Sequence, residues 1–143
     1  TCPTMLNYAV HAKAGSLYNT PPVFAIYMAC LVTRWLKKEG GVAEMDRRAR
    51  ERSSLIYDVI DKSSGFYINH IAPEARSRMN VVFHLAEDAL TDLFVKEAAD
   101  AGLVNLKGHR LAGGIRASMY NALPMEGAVA LANFMKVFAA RHG

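Results

Sequence analysis

The chain has 143 residues, of which 52% are hydrophobic and 21% charged, and its 17 Lys and Arg residues outnumber its 13 Asp and Glu residues, for a net charge of +4. A chain of this length and apolar content can bury a core without disulfides or metals, which excludes global disorder. Its longest apolar run, Val23 to Val32, has ten residues. A membrane-spanning helix needs roughly 20, so we predict no membrane span.

The amino terminus and the two cysteines bear on the cellular compartment of the protein. Residues 1–4 carry no basic or long apolar leader, although a leader could have been removed. Cys2 and Cys30 form no CxxC pair, and we predict two inert thiols. We therefore expect a cytoplasmic protein, or an organellar one if a targeting peptide preceded this chain. The absence of an initiator Met suggests a piece of a longer protein.

The first predicted helix follows an extended segment, Ser16 to Pro22. Thr20 is the expected N-cap, and the two prolines after it suit the first turn of a helix. From Val23 to Lys38 apolar residues recur at helical spacing over a wide face, and Gly40 with Gly41 ends the run. The width of that face predicts a buried helix.

A second helix is predicted over Val42 to Lys62, ended by Ser63, Ser64 and Gly65. Its middle holds four arginines, Arg47, Arg48, Arg50 and Arg52. A nucleic-acid patch is one interpretation, but acidic residues interleave with these arginines and aromatic residues are missing. We predict a solvated helix surface and no nucleic-acid site.

The rest of the chain predicts short strands and two more helices. In chain order they are a strand Phe66 to Asn69, a strand Asn80 to Leu85, a helix Asp88 to Ala101, strands Val104 to Lys107 and Ile115 to Ser118, and a helix Glu126 to Arg141. This order predicts an α/β fold in which a small mixed or antiparallel sheet is packed with helices.

The segment from Lys107 to Asn121 carries the candidate site. It places His109, Arg110 and Arg116 around a pair of glycines. Glycines allow close backbone approach, and two guanidiniums with an imidazole can bind a phosphate plus a carboxylate. The alternative is a glycine turn flanked by surface arginines, and spacing alone leaves both interpretations open.

Four motifs, SLYNTPP, WLKKEGG, APEARSRMNV and KGHRLAGGIRASMYNA, occur here in that order. Together they resemble the carboxyl-terminal part of the phosphoserine aminotransferase family, class V enzymes of fold type I that use pyridoxal phosphate. The resemblance implies a connecting segment, residues 1–21, that arrives from a large domain missing here. It also implies that residues 22–143 form the C-terminal small domain of such an enzyme.

Residue roles follow from the resemblance position by position. It implies that His109 and Arg110 reach across the interface of a homodimer and bind the substrate phosphate, and that Arg116 binds the substrate α-carboxylate. It implies that Asn19 and Thr20 bind the cofactor phosphate of the neighbouring subunit. For Asn121 we prefer a plain role as the cap of the next turn.

The resemblance also indicates what this chain lacks. The family's Schiff-base lysine belongs upstream of Thr1, and none of the seven lysines here stands in its sequence setting: Lys13, Lys37, Lys38, Lys62, Lys96, Lys107 and Lys136. The intact enzyme is expected to pass an amino group from glutamate to 3-phosphohydroxypyruvate in serine biosynthesis. We expect no catalytic residue, no metal site and no activity in this chain alone. The alternative function is a non-catalytic module that binds anions or a partner subunit.

Overall fold

The structure is a computed structural model that describes residues 2–143. Its contacts divide the chain into two compact units, one that runs to Val42 and one from Ala43 to Gly143. The domain boundary predicted between residues 21 and 22 concerns where a missing large domain would end, and it stays a prediction.

The first unit contains a 3-10 turn and two helices, α1 (Tyr8–Lys13) and α2 (Val23–Lys38). The bounds of α2 agree with the prediction, but its N-cap does not: Pro22 occupies that position, and no side chain caps the helix. A residue that precedes proline is driven to extended backbone. Thr20 and Pro21 both precede prolines, so neither favours helical backbone. Pro22 has a ψ of 70° and is not helical either, so the first helical residue is Val23.

The prediction that α2 is buried is wrong for this chain. None of its residues is buried, and Phe24 is 77% exposed. Periodicity reports that a helix is apolar on many sides, whereas burial requires a second surface against those sides. None of the described helices is long and apolar enough to cross a membrane.

The second unit combines helices with a small sheet, as predicted. The helices are α3 (Gly41–Asp61), α4 (Leu90–Asp100) and α5 (Met125–His142), and the strands are β1 (Tyr67–Ile68), β2 (Asn80–Leu85) and β3 (Ile115–Ser118). The strands pair antiparallel in the order β1-β2-β3. The α/β fold class with an antiparallel sheet is therefore confirmed.

The strand predicted over Val104 to Lys107 does not form. Only Lys107 makes an isolated bridge, to Ile115 at the start of β3. Asn105 has a φ of 62°, in the left-handed region, which interrupts extended backbone. The segment runs beside β3 only at its end.

The core lies on one face of the sheet. Along β3 the residues alternate between buried and exposed, with Ile115 and Ala117 buried. Val81, Phe83 and Leu85 of β2 are also buried and pack with aromatic residues of the helices. Because successive side chains of a strand point to opposite faces, the other face of β3 carries Arg116 and Ser118.

Candidate functional site

A closed loop, residues 108–114, forms the base of the candidate site. Its ends meet where the Gly108 N–H donates to the Gly114 carbonyl oxygen at 2.8 Å. A Cβ atom at position 108 would lie 1.9 Å from the Gly113 carbonyl oxygen. At Gly114, where φ is +62°, a Cβ atom would lie 2.7 Å from the Phe83 carbonyl oxygen. Glycine is therefore required where the loop closes on itself and on β2.

The loop presents His109 and Arg110 to solvent. His109 Nδ1 accepts a hydrogen bond from the Leu111 N–H at 3.3 Å. A neutral imidazole that accepts at Nδ1 carries its proton at Nε2, so Nε2 remains available as a donor. Within residues 2–143 the Arg110 guanidinium has no hydrogen bond or ion pair. Both side chains are thus free to bind an anion.

Arg116 lies in the middle of β3, opposite Val82 of β2. Its backbone N–H donates to the Leu106 carbonyl oxygen at 2.8 Å, so the backbone is held on both sides. Its side chain is exposed and pairs with no other described residue. Arg116 borders an open cavity of about 410 Å³ that is also lined by Met119 and Leu123. A fixed backbone with a free guanidinium suits recognition of a carboxylate.

Asn19 and Thr20 belong to the first unit, whereas the other three predicted site residues belong to the second. Both are exposed in the segment that leads into α2. Asn19 Nδ2 lies 3.7 Å from the Met5 sulfur, and no side chain among the described residues caps the N–H groups of α2. Polar side chains beside an uncapped helix N-terminus can bind a phosphate.

Asn121 does not cap the next turn as predicted. α5 takes Pro124 as its N-cap, and Asn121 Oδ1 is buried without a hydrogen bond. Instead, the backbone carbonyl of Asn121 accepts a hydrogen bond from Arg52 Nη1 at 3.3 Å. α5 begins at Met125, four residues after Asn121, and Pro124 directly before it takes the cap position.

The arginines of α3 divide into two kinds. Arg47, Arg48 and Arg50 form ion pairs with acidic residues of the same helix, which confirms the solvated surface. Arg52 is 2% exposed, so the surface prediction is wrong for it. Its position is readable from the sequence, because Arg52 continues the helical spacing of buried Met45, Ala49 and Ile56.

Comparison with known proteins decides the family. The family model described as aminotransferase class-V matches residues 1–131 of the 143. The chain belongs to the class-V aminotransferase family. The motifs quoted above therefore lie in a chain that matches the family along nearly its whole length.

Individual class-V aminotransferases match over nearly all of this chain. Phosphoserine aminotransferase of Chromobacterium violaceum is 55% identical over 141 residues, which cover 99% of this chain and 39% of that protein. The Coxiella burnetii enzyme of the same name is 54% identical over 143 residues, which cover 100% of this chain and 39% of that protein. The chain spans about two fifths of the length of these relatives.

Solved structures of the family agree with the fold. Phosphoserine aminotransferase from Bacillus circulans subsp. alkalophilus superposes with a TM-score of 0.89 at 47% identity, covering 99% of this chain and 39% of that chain. A pyridoxal-phosphate-bound phosphoserine aminotransferase from Trichomonas vaginalis superposes with a TM-score of 0.81 at 40% identity, covering 94% of this chain and 39% of that chain. The predicted resemblance to phosphoserine aminotransferases is confirmed.

Proposed function

We propose that this chain is the carboxyl-terminal portion of a phosphoserine aminotransferase, which transfers an amino group between glutamate and 3-phosphohydroxypyruvate. The observation that carries the proposal is the set of three anion-binding side chains on one segment, His109, Arg110 and Arg116, all exposed. The two arginines have no protein partner among residues 2–143. Solvated surface arginines such as Arg47 find carboxylates nearby, so two free guanidiniums in one motif favour a ligand.

His109 and Arg110 form the phosphate half of the site. The Nε2–H of His109 and the guanidinium of Arg110 supply several donors to a dianionic group, and bonds to an ionised acceptor are the strong ones. The closed glycine loop carries both residues side by side on one short, hydrogen-bonded segment. Only the phosphorylated keto acid and its product carry this group, so these residues provide specificity. In the proposed homodimer they serve the partner subunit's site.

Arg116 forms the carboxylate half. Its planar guanidinium can bind an α-carboxylate with two parallel hydrogen bonds, a geometry that a lysine lacks. Glutamate and 3-phosphohydroxypyruvate both carry an α-carboxylate. Arg116 is therefore expected to orient both substrates in turn.

The residues present fit one part of pyridoxal phosphate, its phosphate group. Asn19 and Thr20 stand before the uncapped N-terminus of α2, whose free N–H groups favour an anion. When bound, the cofactor supplies the electron sink of transamination. All seven lysines are exposed, whereas a Schiff-base lysine is activated in a desolvated pocket. That lysine is proposed to lie in the part that this chain lacks.

The alternative function, a non-catalytic anion-binding or subunit-interaction module, rests on the uncovered apolar surface of α2. Large exposed apolar patches mark interaction sites, and α2 has no buried residue. Gel filtration of this chain alone, and after mixing with the remaining portion of the enzyme, separates the two functions. Formation of one stable complex with transaminase activity supports the enzyme, whereas a stable oligomer of this chain that ignores the added portion supports the module.

The full-length enzyme provides the direct test of the reaction. The absorbance of bound pyridoxal phosphate follows each half-reaction separately, first with glutamate and then with 3-phosphohydroxypyruvate. We expect glutamate to convert the cofactor to its amino form and the phosphorylated keto acid to reverse it. Equal reversal by pyruvate, which lacks the phosphate, would contradict the proposed substrate.

A further inference from the structure

Arg52 is a buried cation that the proposed reaction does not use. It is 2% exposed and lies in the stripe of α3 that faces the core. No carboxylate among the described residues pairs with it, and its Nε and Nη2 atoms are buried without a hydrogen bond. Burial and the nearby charge of Arg48 lower the pKa of Arg52. A charge held under such unfavourable conditions calls for a specific role.

The groups that Arg52 does contact define that role. Its Nη1 donates to the backbone carbonyl oxygens of Asn121 and Leu123, 69 and 71 residues further along the chain. Both carbonyls belong to the turn between β3 and α5. The start of the same turn is held by the residue that precedes β2: the Met119 N–H donates to the Met79 carbonyl oxygen at 2.6 Å. The turn is therefore fixed at both of its ends.

This turn forms a wall of the cavity beside Arg116. Met119 and Leu123 line that cavity together with Gly127 of α5. Leu123 packs closely against Gly127, since a Cβ atom there would lie 3.2 Å from Leu123 Cδ1. A shift of the Leu123 backbone would thus change the cavity that Arg116 borders.

We propose that Arg52 is a positioning residue for the substrate site: by holding the carbonyls of Asn121 and Leu123, it keeps the turn after β3 in the form that shapes the cavity at Arg116. The inference rests on the proposed function, because it acts through the carboxylate recognition assigned to Arg116. Arg52 itself touches no reacting atom.

The test compares Arg52→Met, which keeps an unbranched apolar chain without the donor, with Arg52→Lys, whose ammonium can still donate to both carbonyls. Both substitutions are made in the full-length enzyme, with Arg50→Met as the matched control on the exposed side of α3. For Arg52→Met we expect KM to rise roughly tenfold for glutamate and for 3-phosphohydroxypyruvate, with kcat changed less than about threefold. This is the signature of binding lost equally in the ground state and the transition state. We expect KM values near wild type for Arg52→Lys and Arg50→Met.

A merely structural role gives a different result, since a smaller folded fraction lowers apparent kcat and leaves KM unchanged. That result, or wild-type KM values in folded Arg52→Met, would overturn the proposal. If Arg52→Met does not fold, Arg52→Gln is judged by the same criteria. Arg116→Lys is measured alongside: if it leaves both KM values unchanged, the carboxylate assignment itself has failed, and the inference that depends on it falls too. If Arg116→Lys raises both KM values and the Arg52 variants do not, only the inference fails.

Discussion

Arginines in this chain differ in function according to what surrounds the guanidinium. Arg47 and Arg50 are balanced by carboxylates of their own helix, and exposed pairs of this kind contribute little to stability. Arg52 is buried and bonds to backbone carbonyls. Arg110 and Arg116 are exposed and unpaired among the described residues. All these arginines carry the same charge, so charge does not distinguish the ion-paired, the buried and the unpaired ones. The atoms that each guanidinium contacts do.

Arg110→Ala tests the phosphate half of the site in the full-length enzyme. Because only the keto acid and its product carry a phosphate, we expect kcat/KM to fall for 3-phosphohydroxypyruvate far more than for glutamate. A hydrogen bond to a charged group contributes about 1.5 to 3 kcal/mol, which corresponds to a loss of roughly tenfold to a hundredfold. Arg50→Ala is the control for removing an exposed arginine. Equal losses with both substrates would contradict the assignment and make Arg110 structural.

Arg116→Lys tests the carboxylate half. Lysine retains the charge but not the planar pair of donors, so we expect KM to rise for glutamate and for 3-phosphohydroxypyruvate, while the preference for the phosphorylated acid persists. The cofactor's absorbance reports both half-reactions. A surface arginine of no function would give changes within about 0.5 kcal/mol. An effect on one half-reaction alone would mean that Arg116 contacts something other than the carboxylate that both substrates share.

At the scale of elements, α3 shows how one helix serves two purposes. Its buried side carries Met45, Ala49 and Ile56, and its exposed side carries a network of ion pairs. Glu44 is the centre of that network, because Arg47 and Arg48 both donate to its carboxylate. These hydrogen bonds lower the pKa of Glu44 from 4.5 to about 2.

This lowered pKa predicts an acid-dependent loss of stability. The contribution of Glu44 is fully present above its unfolded pKa of 4.5 and is lost as the pH falls towards its folded pKa of about 2. We therefore expect Glu44→Gln to lower the free energy of unfolding near pH 6, and the difference from wild type to shrink as the pH approaches 2. Urea titrations at several pH values measure it. Glu74→Gln removes an exposed carboxylate that forms no ion pair with another described residue, and it serves as control. A difference independent of pH would show that the ion pairs of Glu44 are not its cause.

The bounds of the helices and strands show which local sequence signals were sufficient to predict them. The periodic apolar runs of α2, α3 and α5 predicted all six ends of these helices to within one residue. Two errors came from backbone geometry. Successive prolines moved the cap of α2 from Thr20 to Pro22, and a left-handed Asn105 broke the strand predicted before Lys107. α1 was not predicted, because a helix of 6 residues offers too short a pattern for periodicity to reveal.

At the scale of the whole molecule, the chain's length matters most. It spans about two fifths of its relatives, and all its lysines are exposed. We predict that this chain alone has no aminotransferase activity and that pyridoxal phosphate labels no single lysine stoichiometrically. Borohydride reduction followed by peptide mapping is the measurement. Scattered, substoichiometric labelling is expected of exposed amines, whereas one fully labelled lysine among the seven would contradict the prediction.

The sequence by itself determined the four longer helices, the family and the segment that carries the site, because periodicity, glycine positions and the four motifs are local features of the chain. The glycines of the closed loop are also a local feature, since the loop is only seven residues long. Tertiary structure decided what depends on distant residues: the turn, 69 residues away, to which Arg52 donates its hydrogen bond, the face of the sheet on which Arg116 lies, and the exposure of α2. A pattern shows which surface is apolar or charged. Only packing determines whether a second surface exists to cover it.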